Sequence, residues 1–256
     1  MTVLVWQVAG AGKHMISAKL AFRISLGGAV VVLLLTLYSL FQPPMVACGG
    51  LAKGYAPVIA EELVRGAGDV QAIFGSGPST CRTALASQLN IITWADCLIF
   101  IPAYGLFLLF FFVGIAPRDD RSALLGFILS ALAAIADYVE NICLFQITAA
   151  PDSLGFSLVV LPWATGVKWL ALGLAGAVGG TILIQSGREN YPAAALCGLG
   201  FLGTVLGIAN PHLFGTYISG AVTLSWIVFL IVDVRAALFG GAASAVPELE
   251  VENGAG

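Results

Sequence analysis

The sequence predicts an all-α membrane protein, a bundle of about six transmembrane helices with a small extracytoplasmic helical cap. Of its 256 residues, 59% are hydrophobic and only 10% are charged, whereas soluble domains carry about 25% charged residues. The chain also contains six apolar stretches of roughly the length that crosses a bilayer, about 20 residues each. The chain has 31 glycines without a collagen period. Frequent glycine of this kind is typical of helices packed closely in lipid.

Each apolar stretch predicts one transmembrane helix, and the fifth is the shortest. The predicted spans cover residues 24–41, 90–113, 123–147, 157–185, 192–208 and 213–238. Three regions follow: a cytoplasmic N-terminal segment over residues 1–23, a six-span transmembrane domain over residues 24–239, and a C-terminal tail over residues 240–256. We expect the tail to be disordered because it is composed of small and acidic residues.

The orientation in the membrane follows from the basic residues, since cytoplasmic loops carry an excess of Lys and Arg. With six spans, seven of the 11 basic residues lie on one side, and both termini are then cytoplasmic. A cleaved signal peptide is the alternative for the first span, because residues 45–48 loosely resemble a lipoprotein cleavage site. Pro43 and Pro44 are unfavourable in such a site, so we expect the first span to be retained.

Residues 43–89 form a long predicted loop on the extracytoplasmic side. Cys48 and Cys81 lie toward its two ends, on the side of the membrane where disulfides persist, so we predict a disulfide between them. A redox-active thiol pair is the alternative, although such pairs usually have closer spacing. Two short helices predicted over residues 56–65 and 69–74 form either a packed cap on the bundle or a lid over a cavity.

Four charged residues lie well inside the predicted spans, where a charge is costly and therefore suggests a functional site. They are Asp96 in the second span, Asp137 and Glu140 in the third, and Lys168 in the fourth. A rise of about 1.5 Å per residue places all four in one layer of the outer half of the bilayer. Three ionised carboxylates and one ammonium would leave a net charge of −2. We therefore expect a protonated carboxyl group or a bound cation.

The remaining acidic residues are assigned to the two sides of the membrane. Glu61 and Glu62 belong to the long loop, and Asp233, near the C-terminal end of the sixth predicted span, is counted with the acidic residues on the cytoplasmic side.

Uncharged polar residues extend the candidate ligand- or ion-binding site. Glu140 and Asn141 follow Asp137 by three and four residues, so all three share one face of a helix. Tyr104 continues the polar face of the second span, and Pro102 beside it frees a backbone carbonyl, which predicts a kink or a polar notch. The predicted site consists of Asp96, Tyr104, Asp137, Glu140, Asn141 and Lys168.

Three functions are compatible with this charged layer. The first is binding or proton- or cation-coupled transport of a small ligand, with a carboxyl group as proton acceptor and Lys168 as its counter-charge. The second is a membrane-embedded enzyme acting on a lipid or isoprenoid, with Asp137 or Glu140 as acid or base. The third is a structural or assembly subunit in which the charges fix helix register. The expected partners are membrane lipids, a small ligand or cation, and a helix-mediated oligomer or larger membrane complex.

Other classes are disfavoured by the sequence. A net charge of −3 provides no basic surface for nucleic acid. None of the five cysteines has C-x-x-C spacing and the two histidines, His14 and His212, are isolated, so no metal site is predicted. Sequence motifs of P-loop proteins, haem proteins, serine hydrolases and zinc proteases are absent, and we predict no cofactor.

Three segments resemble a class of small bacterial polytopic membrane proteins to which no activity is assigned. They are Glu62-Leu63 followed by Ile-Phe-Gly at residues 73–75, Asp96 with residues 100–104, and Ala-Asp-Tyr-Val-Glu-Asn at residues 136–141. The resemblance implies a location in a bacterial inner membrane and implies nothing about chemistry.

Overall fold

The computed structural model describes residues 16–52, 55–153 and 155–239. Within these ranges the chain is helical and forms no strand, so the predicted all-α bundle is confirmed. The predicted tail over residues 240–256 and most of the predicted N-terminal segment lie outside the described residues.

Six helical segments are long and apolar enough to cross a membrane, and the chain is therefore a multi-pass membrane protein. The second segment joins two α-helices through a π-helical turn, Asp96–Phe100. The sixth joins two α-helices through a 3₁₀ turn, Gly215–Tyr217. The α-helices are α1 (Ala18–Leu40), α2 (Pro57–Glu62), α3 (Ala67–Phe74), α4 (Thr80–Ala95), α5 (Ile101–Ile115), α6 (Asp120–Ala149), α7 (Gly155–Gln185), α8 (Tyr191–Ala209), α9 (Pro211–Phe214) and α10 (Ile218–Phe239).

Two helices extend well beyond the apolar stretches that predict them. Helix α4 begins at Thr80, where the Ser79 hydroxyl oxygen caps it by accepting the Arg82 backbone N–H. Helix α1 begins at Ala18 after the corresponding cap at Ser17. Hydropathy alone does not detect such polar first turns, so the loop predicted over residues 43–89 is shorter in the structure.

The crossing helices close into a ring. Going around it, α1 packs on α5, α5 on α6, α6 on α7, α7 on α8, α8 on α10, and α10 again on α1. Aromatic side chains of α5 and α10 fill its centre, where the rings of Phe111 and Phe229 stack with centroids 4.0 Å apart. The bundle therefore has a packed aromatic core between its two ends.

Helices α2 and α3 form a cap over one end of this ring, which we call the cap end. The structure contains the Cys48–Cys81 disulfide that the sequence predicts, with 5.8 Å between the Cα atoms. The Arg82 guanidinium donates to the Phe74 carbonyl and pairs with Asp152 at 2.6 Å, which ties α3 and α4 to the turn after α6. The cap packs on the bundle through one apolar cluster: Ala60, Val64, Val70, Ile73, Phe74, Leu85, Leu89, Cys143, Leu144, Ile147 and Leu161.

Two further hydrogen bonds attach the cap to the α8–α9 turn. The Tyr55 hydroxyl donates to the Pro211 carbonyl at 3.2 Å, and the Arg65 guanidinium donates to the Ile208 carbonyl. Burial and, after it, the charge of Asp69 raise the pKa of Tyr55 to about 12. The phenol therefore keeps its proton at neutral pH and remains a donor. Of the two predicted alternatives, the structure has the packed cap.

Candidate functional site

The Lys168 ammonium group lies among three carboxylates. Its Nζ atom is 2.8 Å from Glu140 Oε1, 3.0 Å from Glu62 Oε2 and 3.3 Å from Asp137 Oδ1. The side chains of Lys168, Asp137 and Glu140 are at most 6% exposed, and that of Glu62 is 15% exposed. With Asp96, which lies beside them, these residues are called the charge cluster below.

Helix α6 supplies the centre of the charge cluster because its polar residues recur at helical spacing. Tyr104 of α5 donates a hydrogen bond from its hydroxyl to Asp137 Oδ2 at 2.8 Å. One turn further along α6, Asn141 donates from Nδ2 to Asp96 Oδ2 at 2.6 Å. The structure thus brings all six predicted site residues into one region, as two hydrogen-bonded groups joined through one face of α6.

The π-helical turn places Asp96 at the border of the charge cluster. In this turn the Ile101 N–H bonds to the carbonyl of Asp96, five residues earlier. The same register would pair residue 102 with the Cys97 carbonyl, but Pro102 has no N–H. The Tyr138 hydroxyl fills that vacancy by donating to the Cys97 carbonyl at 3.1 Å. The carbonyl that Pro102 frees is therefore used to join the second and third crossing segments.

Glu62 is a member of the charge cluster that the sequence places wrongly, in the aqueous loop. Helix α2 folds down onto α7, where the Thr165 hydroxyl donates to the Glu62 carbonyl at 2.9 Å and Lys168 pairs with its side chain. Its neighbour Glu61 is buried, and Oε1 of Glu61 has no hydrogen-bond partner. Burial and the adjacent charge of Glu62 raise the pKa of Glu61 well above its usual range. Two adjacent carboxylates in a short, otherwise apolar helix are the sequence signal for this arrangement.

Asp233 is the second carboxylate that the sequence places wrongly. It lies within helix α10 and is fully buried, whereas the sequence analysis counts it with the acidic residues on the cytoplasmic side. Arg235 follows two residues later and makes position 233 resemble the polar end of a span. The signal for burial is the continuous apolar sequence on its N-terminal side, residues 226–232.

Negative charge exceeds positive charge in the charge cluster. Four carboxylates share one ammonium group, which donates hydrogen bonds to Glu62 and Glu140 and lies 3.3 Å from Asp137 Oδ1. In the described ranges, no second Lys or Arg lies within 4.0 Å of these carboxylates. Glu140 Oε2 is also buried without a hydrogen-bond partner. Ionised carboxylates in such an environment carry a large desolvation cost, which protons or a cation can remove.

A small cleft at the cap end leads to the charge cluster. Its walls include Glu62, Arg65, Thr165 and Ile208, and its volume is about 10 Å³, the room for about one water molecule. Pockets for drug-sized ligands have volumes of about 300–1,000 Å³. The cleft thus suits water or a proton and is too small for an organic ligand.

Fold and site together define a class, a multi-pass α-helical membrane protein whose cap and crossing helices enclose carboxylates around one lysine. The comparisons with known proteins find no matching family model, curated protein or solved structure. In the described part of the chain, no group of three or more His, Cys, Asp or Glu side chains has the geometry of a metal site. Function is therefore inferred from the site itself.

Proposed function

We propose that this protein binds protons in the charge cluster and transports them across a bacterial inner membrane. The observation that carries the proposal is the position of Lys168, whose ammonium lies 2.8–3.3 Å from the buried carboxylates of Asp137 and Glu140 and the partly buried one of Glu62, and cannot neutralise all three. With Asp96 the charge cluster has four carboxylates and one cation, so full ionisation would leave it strongly negative in a site of low dielectric.

Protons fit this site better than a metal ion does. The Lys168 ammonium occupies the position between the carboxylates that a bound cation would need. A proton requires no additional space, and the buried oxygen Glu140 Oε2 has no partner that would compete for it. The missing positive charge is therefore supplied most simply by protonation of a carboxylate.

Hydrogen-bonding groups connect the cleft to the inner end of the charge cluster. Glu62 lines the cleft and pairs with Lys168, which in turn contacts Glu140 and Asp137. Asp137 accepts a hydrogen bond from Tyr104, on the side of the charge cluster nearest the aromatic core. A proton entering at the cap end would meet Glu62 first and the Asp137–Tyr104 pair last.

The proposed orientation places the cap outside the cytoplasm. The distribution of Lys and Arg favours cytoplasmic termini, and the cap then lies on the side where its Cys48–Cys81 disulfide is stable. In this orientation the cleft receives protons from the extracytoplasmic side.

Proton flux into proteoliposomes tests the proposal. A potassium diffusion potential, negative inside, would drive proton entry, and an internal pH dye would record it. We expect wild-type protein to acidify the lumen, and Asp137→Asn and Glu140→Gln to reduce the rate to that of protein-free vesicles. Asp120→Asn and Glu189→Gln are the matched controls, since both carboxylates are exposed in loops or at helix ends. Equal rates for wild type and the charge-cluster variants would overturn the proposal.

One observation favours a second candidate, an enzyme acting on a lipid. Asp96 is partly exposed and lies among side chains on the outer surface of the ring, with Trp94 57% and Tyr138 41% exposed. A lipid headgroup could approach this carboxylate from the bilayer, with Asp96 as the acid or base. Its test is mass spectrometry of lipids incubated with wild-type protein and with Asp96→Asn, and a product formed equally by both would contradict it.

A further inference from the structure

A buried carboxyl group lies on the far side of the aromatic core from the charge cluster. Asp233 of α10 is fully buried, and its Oδ2 atom is 2.6 Å from the Ser25 hydroxyl oxygen of α1. The same hydroxyl oxygen is 2.7 Å from the Phe107 carbonyl oxygen of α5. Three crossing segments therefore meet at one hydroxyl group, and the other carboxyl oxygen, Oδ1 of Asp233, has no hydrogen-bond partner.

The number of hydrogen-bond donors at this junction indicates the protonation state of Asp233. A serine hydroxyl has one proton to donate. If Asp233 were ionised, both the carboxylate and the Phe107 carbonyl would compete for the proton of Ser25, and two acceptor oxygens would face one donor. If Asp233 is a neutral acid, its O–H donates to Ser25 and the Ser25 O–H donates to Phe107. Both short contacts are then satisfied.

No neighbouring charge compensates an ionised Asp233. The titratable side chains described on α10 and on the helices that pack on it are Arg235 of α10 itself, Lys19, Arg23 and Tyr38 of α1, Tyr104 of α5, Lys168 of α7, and Tyr191 and Cys197 of α8. In the described ranges, no cation lies within 4.0 Å of Asp233. An isolated buried carboxylate is costly, so desolvation and the hydrogen-bond count both favour the neutral acid.

We propose that Asp233 is a carboxylic acid in the folded protein and forms a second proton-binding site, which exchanges protons with the side of the membrane opposite the cap. Release of the proton leaves a carboxylate, and the Ser25 O–H then turns from the Phe107 carbonyl to Asp233. Phe107 retains its helical hydrogen-bonding role in α5, so the switch disrupts no helix. Ser25 is a positioning residue in this arrangement.

An aromatic layer separates Asp233 from the charge cluster. Trp226 of α10 stacks on Tyr104, with ring centroids 5.7 Å apart. The Tyr104 hydroxyl donates a hydrogen bond to Asp137 of the charge cluster. Asp233 lies two turns after Trp226 on the same face of α10, about 10 Å along the helix axis. Between these levels lie Phe107 and Phe229, whose rings pack on each other, and Phe111, at about the level of Asp233, stacks on Phe229. The two proton sites therefore lie at different depths of the bundle, with packed aromatic rings between them.

This inference deepens the proposed function, and its transport consequence rests on that function. The protonation state of Asp233 can be measured independently by infrared spectroscopy of the purified full-length protein at neutral pH. We expect a carboxylic-acid C=O band that is absent in Asp233→Asn, present in Asp137→Asn and present in Asp120→Asn. Asparagine can donate to Ser25 as the acid does, so this variant should fold. Absence of any acid band that depends on Asp233 would overturn the inference.

Isotope labelling tests whether the acid band arises from an aspartic acid, and a Ser25 variant tests whether that acid contacts Ser25. With ¹³C-labelled aspartate in wild-type protein, the acid band should shift in frequency, and Ser25→Ala should shift it again because the acid loses its acceptor. A band that is insensitive to the label, or identical in Ser25→Ala, would contradict the assignment to Asp233.

The flux assay separates this inference from the proposed function. Asp233→Asn should abolish proton flux across the vesicle membrane while proton uptake by the charge cluster persists. Asp137→Asn and Glu140→Gln should reduce that uptake while the Asp233 band persists. Undiminished flux in Asp233→Asn would overturn the transport role of Asp233, whereas undiminished uptake in the charge-cluster variants would overturn the proposed function.

Discussion

Lys168 has an unusual environment for a single residue, because one ammonium serves as the counter-charge of two buried carboxylates and a third, Glu62, that is partly buried. Its position over the Trp169 ring, 4.8 Å from the centroid, adds a cation–π contact. Buried ion pairs often contribute little net stability, yet removal of one partner leaves uncompensated charge and costs about 3–5 kcal/mol. The effect of removing Lys168 should therefore depend on whether protons can replace its charge.

Lys168→Met should destabilise the protein strongly at about pH 8 and much less at about pH 5, because acid supplies protons to the carboxylates that lose their counter-charge. Thermal unfolding in detergent at both pH values measures this. Lys19→Met is the matched control, since Lys19 is exposed at the start of α1 and its loss should change the melting temperature little. The same loss of stability at both pH values would contradict the prediction.

Glu61→Gln should stabilise the protein at neutral and alkaline pH. The pKa of Glu61 is raised by burial and by the charge of Glu62. For an acid with a raised pKa in the folded state, stability is fully present below the unfolded pKa and is lost as pH rises through the folded pKa. The glutamine cannot ionise, so wild type and variant should melt alike at low pH and the variant should melt higher at high pH. An exposed Glu189→Gln control should show no such divergence.

At the scale of elements, the cap is the part of the fold that completes the site. Helix α2 contributes Glu62, and the Cys48–Cys81 disulfide holds the segment that carries it. The sequence predicts the cysteine pair and both short helices, because the residue spacing and the expected compartment can be inferred without knowing how the chain packs. It does not predict that α2 turns a carboxylate toward Lys168, since that depends on how the cap packs through its apolar cluster.

Replacement of both Cys48 and Cys81 by serine should lower stability by about 3–4 kcal/mol in the chain-entropy model for a closed loop of 33 residues. A reductant should lower the melting temperature of wild-type protein and leave that of the double variant unchanged. Cys97→Ser is the control, because Cys97 is a free, partly exposed thiol. If the reductant affected wild type and double variant equally, the disulfide would not be the stabilising element.

The π-helical turn shows what a local signal can and cannot predict. Pro102 predicts a freed carbonyl and a polar notch in the second span, and the structure has both at the Cys97 carbonyl. The change of register over residues 96–100 is not visible in the sequence, because the hydrogen-bond pattern depends on Tyr138 of the neighbouring helix. The depth estimate for Asp96 nevertheless agrees with its contact to Asn141.

At the scale of the whole molecule, hydropathy predicts six crossing segments because lipid imposes one length and one polarity on all of them. The i, i+3, i+4 spacing in α6 and the common depth of four charges predict the centre of the site for the same reason. This reasoning does not identify Glu62 or Asp233 as buried in the bundle. Glu62 lies in the cap, which folds back onto the bundle. Asp233 lies near the end of α10, where Arg235 suggests a polar environment but the helix is still packed in the bundle.

The central claim, that protons neutralise the charge cluster, is tested most directly by counting protons. Purified protein in unbuffered detergent would be pulsed with acid from mildly alkaline to mildly acidic pH, with a soluble dye reporting uptake per chain. We predict that the double variant Asp137→Asn/Glu140→Gln takes up about one proton fewer than wild type, while the exposed double control Asp120→Asn/Glu189→Gln takes up as many protons as wild type over the same pulse. The same uptake by wild type and Asp137→Asn/Glu140→Gln throughout this range would contradict it.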